Sequence, residues 1–288
     1  MEFTNNNLTF VIVTFNSRKV IFDCLNSLPK GFHKLIIENS SDKELKKELE
    51  QNYVKTRVIL SDNIGMGAGN NLGILRSDTQ YVYVLNPDVT LKKDTISKIN
   101  DSISDLENFA ILSPVSDNLE YPNYKIDKKI SGAFSKDTIV NVGEIDGYSM
   151  VINKKFFTNN IFFDEKFFMY LENVDLCLRA KKNGGKLIIV KNSKIHHLGA
   201  KAVDDRYSKE VELSRNWHWM WSKFYFNKKH KGILTSFFFG ISSLIGNLLK
   251  YLVYLLTFNK KKNIYKIRMS GLLNALLGKQ SWFRPDIN

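Results

Sequence analysis

The N-terminal part of the chain alternates between short apolar runs and stretches with helical patterning. The apolar runs occupy residues 8–15, 34–37, 57–60 and 81–85. Strands that alternate with helices at this spacing form β-α-β units, which build a largely parallel sheet with helices on both faces. With 288 residues, the chain is long enough for one such domain and an appendage. The predicted fold class is therefore α/β.

Polar side chains follow three of these runs, at Asn16, Glu38 and Asp88. The carboxyl ends of parallel strands meet at one edge of a sheet, and ligands of open α/β folds bind there, so we expect these side chains to share a crevice. Pro87 disfavours continuation of the strand and turns Asp88 out of the strand end. The alternative is that Asp88 caps a helix over residues 91–106.

The segment 61–73, SDNIGMGAGNNLG, is rich in glycine. Its spacing matches neither the dinucleotide-binding motif G-x-G-x-x-G nor a phosphate loop ending in G-K-[ST], which disfavours a nicotinamide enzyme and an ATPase. Two interpretations stay open. The glycines admit a ligand closely, with Asn70 and Asn71 as amide donors, or they allow close packing at the start of a helix.

A second informative stretch, residues 162–180, combines aromatic residues with two carboxylates. On the predicted helix, Glu172 and Asp175 lie three residues apart and therefore on one face. A carboxylate beside an apolar wall can act as a general base with a raised pKa. The other interpretation is that both are acids at a helix N-terminus, with Asp175 paired to Arg179, and it is favoured for Asp175.

Residues 186–190 predict another strand, and His197 follows it within IHHLG. A histidine after a strand is a frequent metal ligand, although an isolated histidine is more often a hydrogen-bonded surface or core residue. With Asp88 across the crevice, a site of oxygen and nitrogen ligands that suits Mn²⁺ or Mg²⁺ is plausible. The two cysteines, Cys24 and Cys177, have no paired spacing, so a thiolate site is not expected.

The excess positive charge is concentrated at the C-terminus. The net charge is +13, and residues 213–285 contain 13 Lys and Arg but no Asp or Glu, so the remainder is neutral. Within this region, residues 233–258 are apolar apart from a polar stripe that includes Lys250, and lysines flank them on both sides. This pattern is typical of a helix that lies in or near an anionic membrane surface.

Other interpretations of the apolar helix stay open. It could pack on the preceding domain, contact a second copy, or cross the membrane once, since its uncharged run is near the lower limit for a span. Nucleic acid is disfavoured as a partner because the cations flank an apolar helix instead of lining a groove.

Seven segments together resemble the family 2 glycosyltransferases with the GT-A fold, in particular their bacterial rhamnosyltransferase-like branch. They are VTFN at 13–16, ENSS at 38–41, GAGNNLGI at 67–74, LNPDV at 85–89, IDGYSMVI at 145–152, FFDEKFFMYLENVDLCLR at 162–179 and IHHLG at 195–199. Each segment alone is weakly specific, whereas their order and spacing together are specific. The resemblance covers residues 8–199 and a C-terminal tail of a familiar kind.

The resemblance implies an inverting transfer of a sugar, with rhamnose as the candidate, from a nucleoside-diphosphate sugar to a hydroxyl of a cell-surface glycan or lipid-linked acceptor. It implies a mostly parallel, Rossmann-like sheet flanked by helices, followed by an amphipathic helical appendage. By position, the residues that would bind the nucleotide sugar are Thr14, Asn16, Glu38, Asn70, Asn71, Asn86 and Asp88. Asp88 and His197 would bind Mn²⁺ or Mg²⁺. The family usually has Asp where this chain has Glu38, and Asn86 replaces the first acid of a DxD-like motif.

The catalytic base departs from the family pattern. Many relatives have Glu-Asp where this chain has Glu172 and Asn173, and the amide of Asn173 cannot take a proton at neutral pH. We therefore assign the base to Glu172, with Asp175 as the second choice. The same departure raises a rival hypothesis, a catalytically degenerate, membrane-associated binding or assembly protein of this fold. The presence of Asp88, His197 and Glu172 weighs against it.

The predicted organisation is a GT-A catalytic domain at residues 1–212 and a basic, apolar helical region at residues 213–288 that associates with a membrane. We expect the protein at the cytoplasmic face of the inner (plasma) membrane, peripheral or shallowly inserted through residues 233–258.

Overall fold

The computed structural model describes residues 1–104, 106, 108–127, 138–199 and 201–284. The chain forms two compact units. The first consists of Met1–Asp164 and Asn173–Asp204, and the second of Glu165–Glu172 and Asp205–Asn288. The predicted domain boundary after residue 212 stays a prediction. The second compact unit also contains the segment Glu165–Glu172 from the middle of the chain.

The first unit contains the strands and the shorter helices. The strands are β1 (Leu8–Thr14), β2 (His33–Glu38), β3 (Thr56–Leu60), β4 (Tyr81–Leu85), β5 (Val89–Leu91), β6 (Ile111–Ser116), β7 (Tyr124–Lys125), β8 (Ile139–Asn141), β9 (Glu144–Ile145), β10 (Ser149–Asn153) and β11 (Leu187–His197). The helices are α1 (Arg18–Ser27), α2 (Lys43–Asn52), α3 (Met66–Arg76), α4 (Thr95–Ile103) and α5 (Glu172–Lys182), which starts at the boundary between the units.

A nine-stranded sheet runs through this unit in the order β3-β2-β1-β4-β10-β6-β11-β5, and β8 also pairs with β11. The strands β3, β2, β1 and β4 are parallel, as the alternation of strands and helices requires. The strand β10 is antiparallel to both of its neighbours, β4 and β6. The prediction of an α/β fold with a mostly parallel sheet and covering helices is confirmed.

The two faces of the sheet are packed by different residues, because successive side chains of a strand point to opposite sides. On β1, Phe10 and Ile12 belong to one buried cluster, whereas Val11 and Val13 belong to the other. Helix α3 lies close to the second face, and a Cβ atom at Gly73 would overlap the side chain of Val11. Gly73, and Gly69 beside Val13, therefore allow close packing between helix and sheet.

Two predicted elements differ from the structure. The helix expected at 91–106 is shorter, Thr95–Ile103, because Val89–Leu91 pairs as a strand with β11. The strand expected at 186–190 extends to His197, with an irregularity between Val190 and Lys194. In both places, pairing with a strand that is distant in sequence overrides the local pattern.

The second unit is helical. Its helices are α6 (Ser208–Lys231), α7 (Ile233–Leu256) and α8 (Lys262–Leu276). A small core of Trp217, Trp221, Phe224 and Leu272 joins α6 to α8. A Cβ atom at Gly271 would overlap the carbonyl oxygen of Trp217, so a glycine is needed where the two helices approach.

Helix α7 has the reverse of the polarity expected for a helix of a soluble protein. Its buried residues are Ser236, Gly240 and Asn247. Large apolar side chains face outward, among them Leu234 and Phe238 with exposed fractions of 74% and 72%. Among the described residues, α7 is the one helix whose length and apolar composition match a bilayer span. The predicted amphipathic helical appendage is present, with its polar face turned toward protein.

The segment after α8 is attached to α6 through His218. The ring of His218 is fully buried; its Nε2 is 2.7 Å from the carbonyl oxygen of Phe283, and its Nδ1 is 2.8 Å from Oγ of Ser281. A neutral imidazole satisfies both contacts, with Nε2–H donating and Nδ1 accepting. Burial, assisted by the charge of Arg284 and partly opposed by the hydrogen bond with Phe283, lowers the pKa of His218 from 6.5 to about 4.

We predict that the second unit loses stability as the pH falls from about 6.5 to about 4. Within this window the unfolded chain takes up a proton at His218 and the folded chain does not, so protonation favours unfolding. The full effect is on the order of 3 kcal/mol, and it levels off below the folded-state pKa. Urea unfolding followed by tryptophan fluorescence at several pH values measures it.

The variant His218→Gln should show a flatter stability profile over this pH range than the unmodified chain. His33→Gln, which alters an exposed histidine of the first unit, is the matched control and should keep the original profile. An unchanged profile in His218→Gln would contradict the assignment.

Candidate active site

The site begins where β4 ends, because the chain turns there and pairs with the last strand of the sheet. In the antiparallel pair of β5 and β11, Val89 lies opposite His197. The backbone N–H of Leu198 donates to the carbonyl oxygen of Asp88 over 3.1 Å. This pairing places the Asp88 carboxylate beside the His197 ring, with 3.4 Å between Oδ2 and Nε2.

The two side chains are buried and incompletely hydrogen-bonded. Asp88 is 2% exposed and His197 is 7% exposed. Oδ2 of Asp88 accepts a hydrogen bond from the backbone N–H of Lys201 at 3.1 Å. Within the described part of the chain, Oδ1 of Asp88 and Nδ1 of His197 have no hydrogen-bond partner. Buried polar atoms without partners are costly, so these atoms are candidates for ligand contacts.

Two tyrosines hold the His197 ring in place. The ring of Tyr148 stacks on it with centroids 3.9 Å apart, and the ring of Tyr121 contacts it edge-on at 5.6 Å. The hydroxyl of Tyr148 donates to the carbonyl oxygen of Tyr121 at 2.5 Å, which fixes both rings. Burial raises the pKa of the Tyr148 hydroxyl, and the charges of Asp146 and Asp88 raise it further.

The pair of Asp88 and His197 fits a hard divalent cation. The described residues contain no group of three or more His, Cys, Asp or Glu arranged around one point, so the protein offers two ligands and no closed cage. Mg²⁺ and Mn²⁺ sites in phosphate-handling enzymes commonly use one or two protein ligands, with substrate phosphates and waters completing the shell. The separation of 3.4 Å between Oδ2 and Nε2 leaves room for a shared ion.

Sequence reasoning missed the residues that support this pair. Tyr121 gave no signal, and Tyr148 was noted only as part of the segment 145–152. Asp146 was also missed: part of its side chain is exposed, yet desolvation in its loop raises the pKa of its carboxyl, with Glu144 adding to the shift. Their proximity to His197 arises from pairing between distant strands, and no local pattern reports it.

Glu38 lies at the carboxyl end of β2 as expected, but its carboxylate is used within its own loop. It is fully buried, and its oxygens accept hydrogen bonds from the backbone N–H groups of Ser40 and Asp42 and from the Ser40 hydroxyl. Ser40 in turn accepts from the backbone N–H of Asn16 over 3.2 Å. Glu38 therefore shapes the loop beside the crevice, and its contact with a nucleotide stays a prediction.

The other residues predicted near the nucleotide occupy the same sheet edge. Thr14 is fully buried, and Thr14 and Glu38 are register partners at the ends of β1 and β2. Asn16 adopts a left-handed backbone with φ of 50°, a conformation tolerated by asparagine. The backbone N–H of Asn86 donates to the carbonyl oxygen of Tyr148 at 3.0 Å, which ties the strand-end turn to the loop before β10.

The side chains of Asn70 and Asn71 differ in their hydrogen bonding. The side chain of Asn71 forms two hydrogen bonds of 2.9 Å with the backbone N–H and carbonyl oxygen of Phe163, so it holds the chain against α3. Asn70 is 2% exposed and its Oδ1 lacks a hydrogen-bond partner in the described part of the chain, as does Oδ1 of Asn39. Asn71 therefore has a packing role, whereas the amide of Asn70 is still a candidate to contact a ligand.

The two candidate bases, Glu172 and Asp175, have different environments. Asp175 is fully buried and paired to Nε of Arg179 at 2.8 Å, and the same guanidinium donates to the carbonyl oxygens of Ile161 and Phe162. Asn173 donates from its amide to the carbonyl oxygen of Ile145 over 3.2 Å, a bond that an ionised aspartate could not make. Asp175 thus has the structural environment of an ion pair.

Glu172 is the first residue of α5 and is 9% exposed. Two non-glycine residues in the left-handed backbone region precede it, Tyr170 with φ of 71° and Leu171 with φ of 68°. Such conformations cost of order 1–3 kcal/mol each and cluster at functional sites. The segment Glu165–Glu172 packs within the second unit, where the hydroxyl of Ser222 donates to the carbonyl oxygen of Met169.

Comparison with known proteins identifies the family. The model of Glycosyl transferase family 2 matches residues 9–178, more than half of the chain. The chain therefore belongs to glycosyl transferase family 2, which confirms the resemblance drawn from its sequence segments and supports its assignment to the glycosyltransferases.

Two curated relatives are similar to this chain. It is 25% identical over 193 residues to a low-salt glycan biosynthesis hexosyltransferase of Haloferax volcanii, and the match covers 62% of this chain and 62% of that protein. It is 27% identical over 186 residues to the rhamnosyltransferase WbbL of Escherichia coli, covering 54% of this chain and 69% of that protein. The chain thus spans about two thirds of the length of these relatives.

Solved structures confirm the fold. TarS 1–349 of S. aureus in complex with UDP superposes with a TM-score of 0.54 at 15% identity, covering 98% of this chain and 94% of that chain. GalNAc-T7 with UDP, GalNAc and Mn²⁺ superposes with a TM-score of 0.53 at 16% identity, covering 74% of this chain and 51% of that chain. Both likenesses concern the arrangement of strands and helices.

We predict that Asp175→Asn lowers the stability of the fold by about 3 kcal/mol, the scale expected for breaking a buried ion pair. The neutral amide leaves the Arg179 charge without its partner beside the buried segment at Phe162. Chemical denaturation of the variant and of Asp101→Asn, which makes the same change at an exposed acid of α4, provides the comparison. Equal stability of the two variants would contradict the structural role of Asp175.

Proposed function

We propose that this chain is an inverting glycosyltransferase that moves a hexosyl group, with rhamnosyl as the candidate, from a nucleoside-diphosphate sugar to a hydroxyl of a cell-surface glycan or lipid-linked acceptor. The observation that carries the proposal is the buried pair of Asp88 and His197 at the carboxyl edge of the sheet. The family match supports the reaction class. The names of the two relatives, a hexosyltransferase and a rhamnosyltransferase, support the sugar.

The arrangement suits the departure of a diphosphate. When the sugar–phosphate bond breaks, negative charge accumulates on the leaving group, and a divalent cation held by Asp88 and His197 would stabilise it. Oδ1 of Asp88 is buried and available, and the stacked ring of Tyr148 keeps Nε2 of His197 directed at the carboxylate. The presence of UDP and Mn²⁺ with GalNAc-T7 supports Mn²⁺ or Mg²⁺ as the ion and a nucleoside diphosphate as the donor carrier.

Nucleotide binding would use the loops at the ends of β1 and β2 and the start of α3. Thr14 and Asn16 border this edge, and Glu38 holds the loop at 40–42 in shape. Asn70 presents a buried amide oxygen without a partner in the described part of the chain, which is suited to a donor group of the nucleotide.

Glu172 is the proposed base that takes the proton of the acceptor hydroxyl. A positioned carboxylate typically contributes 10²–10⁴-fold to such a step. Its low exposure and the two left-handed residues before it are consistent with a held, functional side chain. Asp175 is the weaker candidate because Arg179 occupies its carboxylate.

The second unit would bring the enzyme to its acceptor at a membrane. Its outward-facing apolar helix α7 and the lysines on both sides of it, Lys228, Lys229, Lys231, Lys260, Lys261 and Lys262, combine the two attractions that anionic bilayers offer. We infer a peripheral or shallowly inserted position on the cytoplasmic face of the plasma membrane. A lipid-linked or surface glycan acceptor is consistent with that position.

The donor site is tested by calorimetric titration with UDP, dTDP and GDP, with Mn²⁺ present or chelated. We expect one nucleotide to bind in a metal-dependent manner and Asp88→Asn to weaken this binding at least tenfold, since the cation loses the negative charge of a carboxylate ligand. Asp94→Asn is the matched control because Asp94 is exposed and paired with Lys98 on the surface. Binding that survives chelation and Asp88→Asn alike would refute the metal site, and no binding would favour the degenerate protein.

The base is tested with Glu172→Gln. We expect the rate of sugar transfer, or of donor hydrolysis when the acceptor is unknown, to fall by 10²–10⁴-fold while nucleotide affinity changes little. Glu165→Gln, an exposed acid seven positions earlier in the same segment, should keep full activity. Full activity in Glu172→Gln would remove Glu172 from the mechanism, and NMR of the product anomer decides between inversion and retention.

A further inference from the structure

A basic groove lies within the second unit, where α6, α7 and α8 meet, so the expectation that the cations only flank the apolar helix is wrong for three of them. Its polar lining consists of Lys223, Ser243, Asn247, Lys250 and Arg268, and its volume is about 270 Å³. Each of the three helices contributes one cation to it, namely Lys223 from α6, Lys250 from α7 and Arg268 from α8. The groove belongs to none of the catalytic or metal-binding machinery described above.

The three cations share the groove without a carboxylate. In the described residues, Lys223, Lys250 and Arg268 form no ion pair, and residues 213–285 contain no Asp or Glu at all. Like charges held close together repel one another, so an arrangement of this kind is stabilised by an anion from outside the chain.

Arg268 is positioned before any ligand arrives. Its Nε donates to Oδ1 of Asn216 at 2.7 Å, and its guanidinium carbon is 5.6 Å from the ring centroid of Tyr265. Nζ of Lys250 is 5.7 Å from the same ring, and Tyr254 stacks on that ring with centroids 5.3 Å apart. The terminal guanidinium nitrogens have no protein acceptor in the described residues, so a planar fork of donors remains for a phosphate group.

The groove borders the apolar face of α7. Lys250 is the only charged residue of α7, and its neighbours Leu249 and Val253 are 59% and 57% exposed. Trp219, which also lines the groove, is 40% exposed, and indole rings favour the boundary between lipid and water. An anion in the groove would therefore lie at the level where a bilayer carries its phosphates.

We propose that the basic groove binds the phosphate of a membrane lipid, with a preference for a terminal phosphate over a phosphodiester. The proposal rests on the membrane association inferred under the proposed function. A terminal phosphate carries more charge and more acceptor oxygens than a phosphodiester, which matches three converging cations. Basic pockets beside membrane-inserted helices recognise lipid head groups through this chemistry.

The test measures binding of the full chain to two kinds of phosphatidylcholine vesicle. One contains phosphatidic acid, which has a terminal phosphate, and the other contains phosphatidylglycerol adjusted to the same zeta potential. We expect the chain to bind the phosphatidic acid vesicles about tenfold more tightly, and the triple variant K223Q/K250Q/R268Q to lose this preference. The single variant Arg268→Lys keeps the charge but loses the fork, and it should retain only part of the preference.

The matched control is K260Q/K261Q/K262Q, which removes the same charge from the loop after α7 and the first residue of α8. It should weaken binding to both vesicles equally and keep the preference, because diffuse attraction depends on charge alone. The proposal is overturned if the unmodified chain shows no preference, if both triple variants lose it to the same extent, or if millimolar inorganic phosphate abolishes it. Failure to bind either vesicle would instead refute the membrane association, and retained circular dichroism spectra establish that the variants are folded.

Discussion

The candidate site depends on one short strand pairing. Val89–Leu91 adds to the edge of the sheet antiparallel to β11, and this brings Val89 opposite His197. Asp88 and His197 lie more than a hundred positions apart in the chain, and backbone hydrogen bonds hold them within 3.4 Å. Without that pairing, the carboxylate would stand at the end of β4 with no imidazole beside it. Metal ligands from distant strands need a rigid frame of this kind.

Asp88 and His197 are held rigidly, yet each keeps a buried polar atom without a hydrogen-bond partner in the described residues. Tyr148 and Tyr121 clamp the histidine ring, and Lys201 donates to one carboxylate oxygen. The remaining buried atoms, Oδ1 of Asp88 and Nδ1 of His197, find no partner in the described residues. A folded protein seldom leaves such atoms unpaired, and functional sites are where it does so.

Helix α7 has polar residues on its buried face and apolar residues on its exposed face. Small and polar residues such as Ser236, Gly240 and Asn247 face α6 and α8, and leucines and phenylalanines face outward. In water this arrangement exposes a continuous apolar face, which monomeric soluble proteins avoid. At a lipid surface the cost becomes a gain, because the apolar side chains leave water there. The sequence alone shows that the helix is amphipathic. The tertiary packing shows that its polar side is buried and its apolar side is exposed.

The amino-acid sequence by itself determined the alternation of strands and helices, the acidic turn at Asp88, the surplus of positive charge after residue 213 and the family. These follow from local periodicity, turn chemistry and composition. The pairing of Asp175 with Arg179 was also expected from their four-residue spacing, and the structure confirms it. The tertiary structure decided the rest: the strand that begins at Leu187 extends to His197 opposite Val89, and Lys223, Lys250 and Arg268 line one groove. Each of these depends on which distant segments pair or pack, and no local pattern contains that information.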